Sequence, residues 1–114
     1  MRMRMIKLTT LSIALSVALA TSVSAQAVNL EGGQKLAKEV CVACHGVDGN
    51  SANQDYPKIA GQHPDYLAKA LRDYQSGARN NAIMKGFAGM LKSDDIDNVS
   101  AWYRSQAPAV TTYR

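Results

Sequence analysis

Residues 41–45 read Cys41-Val42-Ala43-Cys44-His45, and this pentapeptide decides how the rest of the 114-residue chain is read. Thiols three residues apart lie on one face of a helical turn. Both can therefore form thioether bonds to the two vinyl groups of one haem, with the histidine that follows placed under the porphyrin to ligate iron. C-x-x-C-H is the attachment signature of haem c, and here it uses both cysteines of the chain. Other uses of the two thiols fit less well. A thioredoxin-like redox pair belongs with a strand–helix pattern, which is missing. A zinc site needs further Cys or His ligands, and the only other histidine is His63. A disulfide between Cys41 and Cys44 would close a very small ring and leave His45 without a role.

The chain opens with the cationic stretch Met1-Arg2-Met3-Arg4-Met5-Ile6-Lys7. An apolar run from Leu8 to Ala20 comes next, then small residues up to Ala27. This is the layout of a secretory signal peptide. Val23-Ser24-Ala25 suits cleavage before Gln26, with a cut after Ala27 as the alternative. The expected division is a signal peptide over 1–25 and one domain over 26–114. The apolar run is short for a membrane span, and an uncleaved anchor is the rival reading. Removing residues 1–25 removes Arg2, Arg4 and Lys7, so Lys plus Arg falls from 13 to 10 against 9 acidic residues. A nearly neutral domain argues against nucleic-acid binding, where a clustered basic face is expected. Fewer than about a hundred residues make one domain with a thin core. A bound porphyrin would add apolar surface to fold around.

Helical patterns mark three stretches between residues 29 and 108. Leu30, Leu36, Ala37 and Val40 recur at helical spacing over 29–40, with Glu31, Lys35, Lys38 and Glu39 facing outward. Residues 46–53 are dense in turn formers. Pro64 and Asp65 suit a helix start, and Gly77 a helix stop. The stripe Tyr66, Leu67, Ala70, Leu71 and Tyr74 lies between them. Ser93 reads as the N-cap of a last helix, whose buried face is Ile96, Val99, Ser100 and Tyr103, with Trp102 beside it. Pro108 ends it. No strand pattern of useful length occurs, so the chain reads as all-α.

With the pentapeptide, the leader and these helices in place, the sequence resembles the class I c-type cytochromes. In particular it is similar to the small bacterial periplasmic monohaem kind and to single domains of the dihaem periplasmic relatives. The resemblance implies an all-α cytochrome c fold of three to five helices wrapped around one covalently attached haem c. It implies assembly in the periplasm, which agrees with the leader. It places Gly33 where the first and last helices cross closely and Trp102 as the aromatic packed there. It gives the Pro57 carbonyl to the Nδ1–H of His45, a loop proline without a partner being the alternative. Tyr56 and Ile59 would pack on the haem, or elsewhere in the core.

For the second axial ligand, the family pattern is an Arg, a short polar stretch, a Met and then a leucine opening the last helix. Arg79, Met84 and Leu91 match its spacing. Where the family often has Asp-Pro-Met before the ligand, this chain has Asn81-Ala82-Ile83. Met90 reads as core filler, and His63 as a residue at a helix boundary. Arg79 either meets a haem propionate or faces solvent. The expected site is thus Cys41, Cys44, His45, Pro57, Ile59, Arg79 and Met84, with His45 and Met84 on iron. His/Met ligation leaves no open position and raises the reduction potential. The resemblance therefore implies a single-electron carrier without a small-molecule substrate. Its partners would be redox proteins: a membrane complex, dehydrogenase, oxidase or reductase. The alternative is a haem subunit relaying electrons inside an oxidoreductase complex. Haem-edge candidates are Val42, Ala43, Ala82 and Ile83, and Lys58, Lys85 and Lys92 are candidate steering charges.

Overall fold

The first helix begins where Asn29 can cap it, its side-chain oxygen accepting the Gly32 N–H at 2.9 Å. The computed structural model describes residues 25–109. In it, α1 (Leu30–Leu36) passes through a π turn (Ala37–Cys41) into α2 (Val42–His45) without leaving helical dihedrals. The helix expected over 29–40 therefore runs on through the cysteine motif to His45. A π turn adds one residue to a helical turn and recurs at functional sites. Here it ends on the first cysteine. Gly46, at φ +82°, terminates α2 in a conformation that favours glycine.

Three further helices complete the fold: α3 (Pro64–Ser76), α4 (Ala82–Gly89) and α5 (Ser93–Arg104). No strand occurs among the described residues. The all-α expectation is thus the observed architecture. None of the described helices is long and apolar enough to cross a membrane. The proposed signal peptide, apart from Ala25, lies outside the described residues.

Crossing of α1 and α5 sets the frame. A Cβ on Gly33 would lie 2.1 Å from the Asn98 carbonyl oxygen and 3.1 Å from Trp102 Cβ, so the two backbones meet where only glycine fits. The crossing is fastened by the Asn29 N–H, which donates to Asn98 Oδ1 at 2.8 Å. Helix α3 packs on α5 and on α4. The core runs through this junction as Ala37, Leu67, Val99, Trp102 and Tyr103, with Cys41, Ile59 and Leu71 packed against it. The Trp102 and Tyr103 rings meet edge to face with centroids 4.9 Å apart, a favoured aromatic geometry. An ion pair between Arg72 and Asp97 at 2.7 Å also links α3 to α5. It is exposed and adds little.

The stretch 78–92, to which the sequence assigns no element, is partly helical. It contains α4, although Gly86 and Gly89 lower its intrinsic helicity. Two side chains compensate. The Asn81 oxygen accepts the Met84 N–H at 3.0 Å at the start. At the other end Gln75 Nε2 reaches over from α3 and donates to the carbonyls of Ala88 and Leu91 at 2.7 and 2.9 Å. Met90, expected in the core, is 65% exposed because it falls just beyond α4 on the solvent side. The last helix is capped one residue earlier than expected. Lys92 is its N-cap position, and the Asp95 carboxylate accepts the Lys92 N–H at 3.0 Å.

Candidate cofactor site

The chain leaves His45 through a loop that is folded back onto it. Gly49, at φ +84°, has no room for a Cβ, which would lie 2.8 Å from Tyr103 Cδ1 and 2.9 Å from the Ala60 nitrogen. Its carbonyl accepts the N–H groups of Ile59 and Ala60 at 2.8 and 3.1 Å. Ser51, buried, donates its hydroxyl to the Cys44 carbonyl at 2.9 Å and accepts the Asn53 N–H at 3.2 Å. These bonds hold residues 56–59 against the cysteine motif. The result is a contact between His45 Nδ1 and the Pro57 carbonyl at 2.9 Å. A carbonyl only accepts, so Nδ1 carries the proton and Nε2 keeps its lone pair.

Around this histidine lies a largely apolar cleft of about 410 Å³. The motif and the loop form one wall, Leu67, Ala70 and Leu71 of α3 another, and α4 and α5 close it. Cys41, Cys44, His45, Pro57, Ile59, Arg79 and Met84 all line it. Tyr56 lines it too, whereas Met90 and His63 do not. His45 itself is only 8% exposed. Cys41 and Cys44, partly buried, are not bonded to each other. Burial pushes the Cys41 thiol above its ordinary pKa; the neighbouring Tyr103 hydroxyl opposes that rise and Cys44 adds to it. Tyr103 is held far above the usual tyrosine range, first by burial and then by Cys41.

Arg79 sits exposed at the rim. Its guanidinium stands 5.1 Å from the centre of the Tyr74 ring, a cation–π distance. The Tyr66 hydroxyl, followed by Tyr74, raises its pKa further. A fixed cation at the mouth of an apolar cleft suits a ligand with an acidic edge.

Three polar features of this site were not anticipated from the sequence. The clamp by Ser51 lies within a run of turn formers, where nothing singles it out. Ser100 and Tyr103 read as members of an apolar face. Yet Ser100 Oγ and Tyr103 Oη are buried in the cleft wall without a hydrogen-bond partner. Polar tips at i and i+3 on an otherwise apolar stripe are the signal that could have marked them. Two thiols, an imidazole with a free Nε2, a thioether and a greasy slot with a cation at its edge together fit a covalently held haem.

Comparison with known proteins agrees. The cytochrome c family model matches residues 30–107. The chain is 40% identical to cytochrome c4 of Thiocapsa roseopersicina over 76 residues, 67% of this chain and 39% of that one. It is 41% identical to cytochrome c-554(548) of Halomonas halodenitrificans over 69 residues, 58% of this chain and 83% of that one. Reduced cytochrome c4 of Pseudomonas stutzeri superposes with a TM-score of 0.68 at 38% identity, over 74% of this chain and 48% of that one. The matches span 35% to 47% of the curated cytochromes c4, so the chain corresponds to about half of each or less. Other relatives are named for enzymes they serve: a thiosulfate dehydrogenase electron acceptor of Stutzerimonas stutzeri and a cytochrome subunit of sulfide dehydrogenase of Chlorobaculum tepidum. With its helical frame, its C-x-x-C-H motif and the cleft around it, the chain belongs to the cytochrome c family.

Proposed function

We propose that this protein is an exported single-electron carrier, in which Cys41 and Cys44 would hold one haem c and His45 and Met84 would ligate its iron. Bound haem supplies reversible one-electron exchange at its iron. The chain's own residues do the rest. Pro57 fixes the tautomer and plane of the His45 ring through the 2.9 Å contact, leaving Nε2 for the metal and raising its basicity. Met84 offers a soft, neutral sulfur that favours the reduced state. The apolar walls exclude water and so penalise the extra positive charge of the oxidised centre. Arg79 at the rim is suited to an acidic substituent of the porphyrin. No general base or nucleophile is required, and the partners are other redox proteins that dock briefly over a small area.

The observation that carries this reading is the histidine of C-x-x-C-H, oriented by Pro57 within an apolar cleft that Met84 also lines. Signal-peptide removal between Ala25 and Gln26 and delivery to the periplasm belong to the same proposal. Visible spectra of periplasmic protein in both redox states test it. A haem that survives acid–acetone extraction, with low-spin bands in both states, is the expected result. A colourless mature protein would end it.

The name of the sulfide dehydrogenase relative favours a second reading, a haem subunit fixed to a catalytic partner. Native purification separates the two. A carrier leaves the column alone, whereas a subunit arrives in fixed proportion with its enzyme.

A further inference from the structure

Two hydroxyls on α5 are buried with no hydrogen-bond partner: Ser100 Oγ, on a residue 1% exposed, and Tyr103 Oη, on one 3% exposed. Both border the cleft. A buried donor without an acceptor is disfavoured in a finished fold, which makes each hydroxyl a candidate for a partner in the completed site. Tyr103 has a specific one at hand. Cys41 packs against the core cluster to which Tyr103 belongs, both line the same cleft, and the hydroxyl is near enough to bear on the pKa of the Cys41 thiol. The two are adjacent, but Oη does not meet ordinary hydrogen-bond geometry there. A thiol sulfur is itself a weak donor as well as a weak acceptor. A thioether sulfur has no proton and can only accept.

We propose that the Tyr103 hydroxyl donates a hydrogen bond to the Cys41 sulfur once that sulfur is a thioether, and that this bond helps set the reduction potential. The inference rests on the reading of Cys41 as a haem attachment point. A donor on the sulfur draws electron density from the adjoining porphyrin edge and so favours the reduced state; hydrogen bonding around a haem is one of the levers a protein has on potential. Tyr103 is thus a positioning and tuning residue, not a ligand. Ser100, one turn away on the same face and outside the core cluster that Cys41 packs against, is the internal control.

The experiment compares holoprotein of the wild type, Tyr103→Phe and Ser100→Ala. Potentiometric titration of Tyr103→Phe should show the redox equilibrium displaced about threefold toward the oxidised form, ~30 mV at 59 mV per decade for one electron. Ser100→Ala should move it much less. Resonance Raman spectra supply a readout that mere packing would not alter. The C–S stretch of the wild type should shift in deuterated water, and that sensitivity should vanish in Tyr103→Phe. The wild-type isotope measurement needs no variant, so it decides the matter even if Tyr103→Phe fails to fold. Covalent haem with an isotope-insensitive C–S band, or an unchanged potential in Tyr103→Phe, overturns this proposal alone. Wild-type protein without covalent haem overturns the attachment reading and this proposal with it.

Discussion

The His45 ring has two nitrogens, and the loop decides which of them does chemistry. With Nδ1 committed to the Pro57 carbonyl at 2.9 Å, only Nε2 is available toward the cleft. The two methionines of the described region divide in a similar way. Met84 lines the cleft, half-sheltered, while Met90 is 65% exposed and outside it. Replacing Met84 by Ala should therefore abolish the long-wavelength methionine–iron absorption of the oxidised protein and lower its potential. Met90→Ala should leave both unchanged, and stability within about 0.5 kcal/mol, as for other surface substitutions. The opposite pattern would transfer the ligand to Met90. That the cysteines, His45 and Met84 share one cleft was legible in the sequence, the first three from the fixed spacing of C-x-x-C-H and Met84 from the family pattern. The role of Met90 was not. A methionine suits core and surface alike, and only the end of α4 settles which side it takes.

At the scale of the element, glycines in two helices make opposite predictions. Gly33→Ala gains up to about 1 kcal/mol of helix propensity. The added methyl, however, would meet the Asn98 carbonyl carbon and oxygen at 2.6 and 2.1 Å, both backbone atoms that cannot step aside. Overpacking of this kind costs roughly 1–3 kcal/mol or more, so a net loss of about 2 kcal/mol is expected in denaturant titration. Gly86→Ala in α4 meets nothing within 4 Å and should instead stabilise by about 0.5–1 kcal/mol. Equal effects at the two positions would refute the close crossing. The Gly33 crossing could be anticipated because a family pattern names it. Helix α4 could not, since its two glycines speak against a helix and its far end is stabilised by Gln75 from another helix. The chain's departure from the family's Asp-Pro ahead of Met84 also becomes intelligible here. Asn81 caps α4 by accepting the Met84 N–H at 3.0 Å, and Asn serves an N-cap as well as Asp does. The altered residues thus keep Met84 in the first turn of a properly started helix.

For the molecule as a whole, the titration of Tyr103 links the core to alkaline stability. Its folded-state pKa lies above the ordinary value of 10.0, chiefly because burial penalises the phenolate. Above pH ~10 the unfolded chain releases this proton while the folded one keeps it, so the folded state binds more protons and stability falls as pH rises. The contribution is intact below that pH and is lost progressively as pH climbs toward the folded-state value. Unfolding free energies of the wild type should drop between pH 9 and about 11.5 more steeply than those of Tyr103→Phe, which lacks the proton. Parallel curves would show that the hydroxyl is not sequestered. Asp48 acts at the other end of the scale. Hydrogen bonds from Asn50 hold its carboxyl below the usual range, and the benefit disappears as pH falls through that lowered value.

The joint between the first and last helices has a topological consequence as well. Asn29 and Asn98 are 69 residues apart in the chain yet bonded to each other, beside the packing of α1 on α5. Residues 52–55 are exposed and belong to no helix. A single protease nick there would leave one fragment bearing the two thiols and His45 and another bearing Met84. The packing of α1 on α5 would still hold both pieces together, so a cut backbone leaves the walls of the cleft assembled.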